Sequence, residues 1–264
     1  MRATIAIAAA VTLLGVAPAY AGSYVTLPVP NPVTPTSRAT PVAGSQNQAA
    51  DQLLIPSGPA LGNGNYAFPS TLTLLASRNT EVFLRTADIG SFQDYVFRDS
   101  TDNKLVFGSR LTLGVRVDGS TFNPGGAEIN DIFRSGYAGY SVAAAWAFMS
   151  DQDLRLYLAA RSATGLLQGA QLYSPDVVDL RSDINSNEGN PWSGLYLLKT
   201  NAPNYTTLVD AIRIRQGGEE GQTVTNFTFT GFAPAAAVPE PSAWMMMLAG
   251  LGIMGFAVRR RLQG

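Results

Sequence analysis

The sequence has 264 residues, a net charge of −1 and 14% charged residues, and it contains neither cysteine nor histidine. These absences exclude disulfides, thiolate chemistry, histidine metal ligands and a Ser-His-Asp triad, whereas carboxylate chemistry and calcium sites stay open. The weak charge argues against a nucleic-acid partner, and the length suffices for one or two domains.

The first 21 residues have the three parts of a secretory signal peptide. Arg2 is the positive start, residues 4–16 form an apolar stretch, and Ala19 and Ala21 give the small-x-small pattern that signal peptidase recognises. The stretch is short for a membrane span, although an uncleaved N-terminal anchor is the alternative. We therefore expect export and a mature chain that begins near Gly22.

Residues 22–69 form a segment of low sequence complexity, since they contain eight of the chain's 16 prolines among Thr, Ser, Asn, Gln and Ala. Such a composition favours extended polyproline II conformation and does not build a core. We interpret the segment as a flexible stalk that leaves room for a docking strand near residues 53–55. The composition is also compatible with O-glycosylation.

From residue 71 the hydrophobic pattern changes to a period of two residues. In the clearest example, 105–117, apolar residues fall mainly on one parity and Arg, Thr and Gly on the other. This predicts a strand with one buried and one solvent-exposed face. Turn-forming residues at 99–103 separate it from a partner strand at 94–98, which predicts a hairpin.

Similar patterns continue to about residue 232. The further predicted elements are a second hairpin (strands 141–149 and 154–158), a third hairpin (strands 212–215 and 226–230), strands at 71–76, 81–85 and 195–199, and short helical turns at 129–133 and 175–180. Antiparallel strands joined by such turns predict an all-β domain over 70–233, namely an antiparallel, jelly-roll-like β-sandwich. A closed barrel is the alternative.

The segment 183–190 contains the best metal-site candidate. Asp183, Asn185 and Asn187 place oxygen ligands at alternate positions, as calcium-binding loops do. The glycine of this segment lies one place later than in those loops, and their terminal acidic residue is missing. A polar loop held by Asx turns is therefore the alternative to calcium, and no other cofactor is expected.

Two sets of side chains could recognise or cleave sugars. Tyr173, Trp192 and Tyr196 could stack on sugar rings if they are exposed, although aromatic residues, such as Trp146, more often lie in the core. Acidic residues are numerous, but no spacing singles out the pair that a glycoside hydrolase needs. The sequence therefore identifies no catalytic residues.

The polar strand faces carry four arginines, Arg110, Arg116, Arg213 and Arg215. We expect them to pair with acids across strands. A docking surface for an anionic polymer is the alternative.

The C-terminal segment 237–264 combines a Pro-Glu-Pro tripeptide, an apolar run and an arginine cluster. In order, these are Val238, Pro239, Glu240 and Pro241, then the stretch 243–258, then Arg259, Arg260 and Arg261. The stretch would be about 24 Å long as a helix and is apolar all round, which predicts a transmembrane helix with the arginines in the cytoplasm. A plain single-span anchor is the alternative.

This order of tripeptide, span and basic tail over 238–264 resembles the PEP-CTERM sorting signal. The resemblance implies a Gram-negative bacterium that makes exopolysaccharide, and processing by an exosortase, a membrane-embedded enzyme similar to cysteine transpeptidases. It further implies that 239–241 is the recognition motif and 259–261 the basic tail. The tail would be removed, and the body would be released or transferred to the surface or matrix.

The sequence as a whole predicts an exported, non-catalytic protein of the cell surface or exopolysaccharide matrix, with a structural or adhesive role. It would begin as a precursor anchored in the inner membrane. The predicted partners are signal peptidase, exosortase, the membrane and exopolysaccharide, without nucleic acid. The alternatives are a carbohydrate- or calcium-binding module and, third, a carboxylate-dependent polysaccharide hydrolase.

Overall fold

The structure is a computed structural model that describes residues 24–27, 68–150, 153–163, 173–217 and 224–237. All regular structure within these residues is β-strand, and they contain no helix. The strands are β1 (Val25–Thr26), β2 (Leu72–Leu84), β3 (Ala87–Asp99), β4 (Leu105–Leu113), β5 (Glu128–Arg134), β6 (Val142–Ala147), β7 (Asp153–Leu154), β8 (Leu158–Ser162), β9 (Tyr173–Asn185), β10 (Trp192–Ser193), β11 (Leu195–Thr200), β12 (Asn204–Gln216) and β13 (Thr225–Ala235). The predicted signal peptide, most of the low-complexity segment and the predicted span lie outside these residues.

The first sheet contains eight strands. Six lie side by side in the order β2-β3-β4-β11-β6-β1, and each neighbouring pair is antiparallel. Beyond the end of β11, the short strand β10 pairs with β4, and β7 pairs parallel with β10. Gly194 separates β10 from β11 at a point where a Cβ atom would lie 2.9 Å from the carbonyl oxygen of Ala147. Only glycine allows this close approach.

The second sheet has the order β13-β12-β5-β9-β8 and is antiparallel throughout. The apolar faces of the two sheets pack together and form the main core, which contains Phe92 and Phe107 from the first sheet and Ile132 from the second. Phe92 contacts Phe229 edge to face across the sheets, with 5.2 Å between ring centroids. An all-β, sandwich-like architecture is thus confirmed, whereas the jelly-roll-like connectivity stays a prediction.

Two of the three predicted hairpins are confirmed. β3 and β4 pair across the predicted turn, and β12 pairs with β13. Ile212 and Ile214 point into the core as the alternation predicts. The two strands predicted at 71–76 and 81–85 are parts of the single strand β2, and the strand predicted at 195–199 is β11.

The second predicted hairpin is wrong, because its second strand is divided and neither part pairs with β6. Leu154 ends β7 in the first sheet, whereas Leu158 begins β8. β6 lies in the first sheet and β8 at the edge of the second. The carboxylate of Asp153 stabilises the turn after β6, since it accepts the backbone N–H groups of Met149 and Ser150 at 2.5 and 3.0 Å. It also pairs with Arg110 of β4 at 2.7 Å, which ties this turn to the first sheet.

The helical turns predicted at 129–133 and 175–180 are also wrong, because these residues lie in the paired strands β5 and β9. Every residue of β5 is buried. Its outward-facing Asp131 and Phe133 are covered as well as its core-facing residues, so the sequence lacks the polar–apolar alternation of a half-exposed strand.

The single exposed face predicted for 105–117 is not present in β4, where the structure buries both faces. Val106, on the face predicted to be wet, belongs to a second, smaller core with Phe97. Tyr24 and Phe68 pack against this second core from the N-terminal part of the chain. A sheet face covered in this way needs apolar or paired residues on both parities.

Candidate functional site

The last strand leads directly into the C-terminal segment. β13 pairs with β12 as far as Ala235, which lies opposite Asn204. Val238, the first residue of the predicted sorting motif, follows three residues later. Three residues span at most about 10 Å, so the motif begins close to the end of the sheet.

A buried ion pair that links the two sheets holds this strand. Arg134 Nη1 on β5 donates to Asp94 Oδ1 on β3 at 2.7 Å, and the two side chains are 0% and 2% exposed. The Phe232 N–H donates to Asp94 Oδ2, and Arg134 Nη2 donates to the Phe232 carbonyl oxygen, each at 2.6 Å. Burial raises the pKa of Asp94, although Arg134 and the Phe232 N–H oppose that rise. The pair therefore binds both polar groups of one β13 residue shortly before the motif.

The N-terminal segment docks on the first sheet. β1 pairs with β6, and the Leu27 N–H donates to the carbonyl oxygen of Val142 at 2.8 Å. The Leu27 side chain lies in the main core and is 2% exposed. The Tyr24 ring lies 4.3 Å from Lys199 Nζ, a cation–π contact. The mature chain, predicted to begin near Gly22, is thus held almost from its start.

Lys199 connects this N-terminal contact to the β3–β4 turn. Its Nζ lies 2.5 Å from Asp99 Oδ2 and 3.3 Å from Asp102 Oδ2. Burial alone would raise the pKa of Asp99, but hydrogen bonds from Lys199 and Thr101 lower it below its ordinary value. The charged network therefore favours the ionised carboxylate.

Residues 237–261 match the PEP-CTERM protein-sorting motif. The chain carries a PEP-CTERM sorting signal. The resemblance predicted from the tripeptide, apolar run and basic tail is thereby confirmed, and the motif implies exosortase processing of an exported protein that transits the membrane. No curated protein and no solved structure matches the chain.

The PEP-CTERM signal begins where the described structure ends. The predicted processing residues that lie outside the described residues are Ala19, Ala21, Val238, Pro239, Glu240, Pro241, Arg259, Arg260 and Arg261. Among the residues that the structure does describe, none forms a helix long and apolar enough to span a membrane. The predicted span at 243–258 is not among them.

The three predicted calcium ligands lie at the end of β9 and in the turn that follows. Asp183 and Asn185 belong to β9, and Asn185 Oδ1 accepts the Asn187 N–H at 2.9 Å. This contact is an Asx turn. Within the described ranges, no three acidic side chains converge as a metal site would require. Calcium binding by the PEP-CTERM protein stays a prediction.

The three aromatic residues considered for sugar stacking differ in exposure. Tyr196 is fully buried, and its hydroxyl donates to the Leu154 carbonyl oxygen at 3.1 Å. Tyr173 and Trp192 are half-buried, and Trp192 Nε1 donates to the Leu113 carbonyl oxygen at 3.2 Å. Tyr196 therefore cannot belong to an exposed stacking platform.

Three of the four strand arginines pair with acids as predicted. The pairs are Arg110–Asp153 at 2.7 Å, Arg116–Asp88 at 2.9 Å, and Arg215–Asp131. The prediction is wrong for Arg213, which donates to the Ala163 carbonyl oxygen at 2.6 Å and lies 3.9 Å from the centroid of the Phe133 ring. All four are engaged within the chain, which does not favour their use as a polymer-docking surface.

A buried pair of acids on the outer face of the second sheet was not predicted. Asp131 of β5 and Asp179 of β9 are both 0% exposed. Arg181 Nη1 lies 3.6 Å from Asp131 Oδ1, and Arg215 pairs with the same carboxylate. Burial and the negative charge of Asp131 raise the pKa of Asp179 well above its ordinary value. No signal in the sequence distinguishes these acids from solvated ones.

A pocket of about 460 Å³ lies between the β2–β3 turn, the end of β12 and the start of β13. Its described lining includes Leu84, Ile89 and Ala127 from the main core, together with Arg85 and Gln216. None of the described lining residues is acidic. The sequence could not reveal this pocket, because its residues come from separate segments that only the sheet topology brings together.

Proposed function

We propose that the mature PEP-CTERM protein is a non-catalytic structural or adhesive component of the cell surface or exopolysaccharide matrix. The observation that carries this proposal is the sorting motif at 237–261, which follows directly on a β-sandwich whose last strand ends at Ala235. A domain with its own core can fulfil a structural role after its tail has been removed.

The order of segments supports a sequence of export steps. Signal peptidase would cleave after Ala21, and the span at 243–258 would hold the precursor in the inner membrane with Arg259 to Arg261 in the cytoplasm. Exosortase would then act at the motif and release the body or transfer it to the surface or biofilm matrix.

The environments of four acids with buried side chains support a role without catalysis. A glycoside hydrolase needs two carboxyl groups on either side of its substrate. Asp131 and Asp179 are inaccessible, Asp94 and Asp153 are held in ion pairs, and the described lining of the pocket has no carboxylate.

A carbohydrate- or calcium-binding module is the second candidate function. The pocket favours carbohydrate over calcium, because its described lining provides a guanidinium and an amide from Arg85 and Gln216 but no acidic ligand.

Fractionation of the host tests the proposal. The triple variant Pro239→Ala/Glu240→Ala/Pro241→Ala should remain in the inner-membrane fraction, whereas the natural protein should reach the surface or matrix fraction. The matched control Pro28→Ala/Pro30→Ala removes prolines outside the motif and should be distributed like the natural protein. An unchanged distribution of the triple variant would contradict sorting through this motif.

A further inference from the structure

The pocket at the end of the sandwich combines apolar residues of the core with polar side chains. Leu84, Ile89 and Ala127 are at most 7% exposed and provide the apolar part of the lining. Arg85 and Gln216 provide a guanidinium and an amide. The volume of about 460 Å³ lies within the range of small-ligand pockets, about 300–1,000 Å³.

Arg85 occupies a backbone position that favours glycine. Leu84 pairs with Ala87, so Arg85 and Thr86 form a two-residue hairpin turn between β2 and β3. The φ angle of Arg85 is 57°, while Thr86 is not among the residues with positive φ. In such a turn the first central position is normally glycine, because a Cβ atom there is strained. Arginine at this position therefore lowers the stability of the fold. Strained residues of this kind are often found at functional sites.

The Arg85 side chain has no partner among the described residues, where it makes neither a hydrogen bond nor an ion pair. Asp88, three residues further along the chain, is already engaged, since it pairs with Arg116 at 2.9 Å. Arg85 is exposed and is the only charged residue in the described lining. The pocket therefore offers one positive charge to an anionic ligand.

The pocket lies at the end of the sandwich opposite the sorting motif. β13 begins at Thr225, which lines the pocket, and ends at Ala235 beside the motif. Its 11 residues extend over roughly 35 Å. A chain attached through its C-terminal segment therefore carries this pocket at its far end.

We infer that this pocket binds a carboxylate-bearing sugar residue, that is, a uronic acid of an extracellular polysaccharide. A guanidinium can bind a carboxylate through two parallel hydrogen bonds. The apolar lining suits the C–H face of a sugar ring, and the Gln216 amide can bond a ring hydroxyl. The inference rests on the proposed function for the origin of the polysaccharide, but its chemistry depends only on the pocket.

Titration calorimetry on the full chain in detergent tests the inference, with trigalacturonate as the probe. We expect saturable binding that weakens by about tenfold or more for the methyl-esterified trisaccharide, which has the same sugar without the charge. Because the unprocessed chain is used, this result is independent of exosortase. A failure of sorting and a failure of binding can therefore be distinguished.

Substitutions at Arg85 separate binding from folding. Arg85→Gly should lower the affinity by about tenfold or more and also raise the melting temperature by about 2–4 °C, because glycine relieves the strained turn. Arg85→Gln should lose the same affinity without this gain in stability. The control Arg78→Gln removes an exposed arginine of β2, the strand that leads into this turn, and should change the affinity by less than about twofold.

Three results would overturn the inference. The first is equal affinity of Arg85→Gln and the natural chain for trigalacturonate. The second is equally tight binding of triglutamate, which would indicate a general carboxylate site or a peptide ligand. The third is binding that is seen only in Glu219→Gln/Glu220→Gln, since the chain's own β12–β13 connection would then be the partner of Arg85.

Discussion

The ion pairs of this protein differ in burial much more than in distance. Asp94–Arg134 and Asp88–Arg116 have N–O distances of 2.7 and 2.9 Å, but the side chains of the second pair are 21% and 41% exposed and those of the first are almost fully buried. Water screens an exposed pair, whereas a buried charge that loses its partner stays desolvated. The buried pair should therefore be far more sensitive to substitution.

Asp94→Ala should lower the free energy of unfolding by about 3–5 kcal/mol, because it leaves Arg134 buried without its carboxylate. Arg116→Gln should lower it by less than about 1 kcal/mol. Urea unfolding of both variants measures the difference. The double variant Asp94→Ala/Arg134→Met should lose less stability than Asp94→Ala alone, and an equal or larger loss would contradict the role assigned to the buried charge.

The buried acid Asp179 should make the protein less stable at neutral than at acidic pH. Its pKa is raised in the folded state, so its contribution is fully present below the ordinary carboxyl pKa and is lost as the pH rises. Asp179→Asn should therefore raise the free energy of unfolding by about 1–2 kcal/mol at pH 7 and change it little near pH 4. Urea unfolding at both pH values tests this, with the exposed Glu188→Gln as control. A variant that is less stable than the natural protein at pH 7 would contradict the prediction.

At the scale of the strands, local alternation predicts where a strand lies better than it predicts which strand it pairs with. It predicts β4 and both strands of the β12–β13 hairpin, since each follows the period of two over several residues. It fails for β5 and for the partner of β6. Asp131 and Phe133 are buried on a face that normally contacts solvent, and the chain after β6 enters first β7 of the same sheet and then β8 of the other sheet. Both depend on contacts between distant residues.

The docking of the N-terminal segment also depends on contacts between distant residues. β1 and Leu27 lie within the segment whose composition is of low complexity, and that composition does not predict a place in the core. Leu27→Ala should lower the free energy of unfolding by about 2–4 kcal/mol, since it leaves a cavity in the main core. The control Thr26→Ala, at the adjacent exposed position in β1, should cost less than about 0.5 kcal/mol. Thermal unfolding of the two variants measures the contrast, and equal melting temperatures would mean that this strand does not contribute to the core.

At the scale of the whole molecule, the sorting signal could be predicted and the pocket could not. The signal is a contiguous order of tripeptide, apolar run and basic tail, so its chemistry is visible without a fold. The pocket depends on residues as far apart as Arg85 and Gln216, which come together only through the packing of the two sheets. The same limit applies to the buried acids, whose covering is a property of the folded chain.

The measurement that tests the central claim most directly is the intact mass of the protein from its native host, with and without the exosortase. The account predicts a chain that begins near Gly22 and ends within or next to residues 238–241 when exosortase is present. Without the enzyme, the chain should extend to Gly264. A C-terminus at Gly264 in both strains would contradict the account, because the protein would then be a permanently anchored membrane protein.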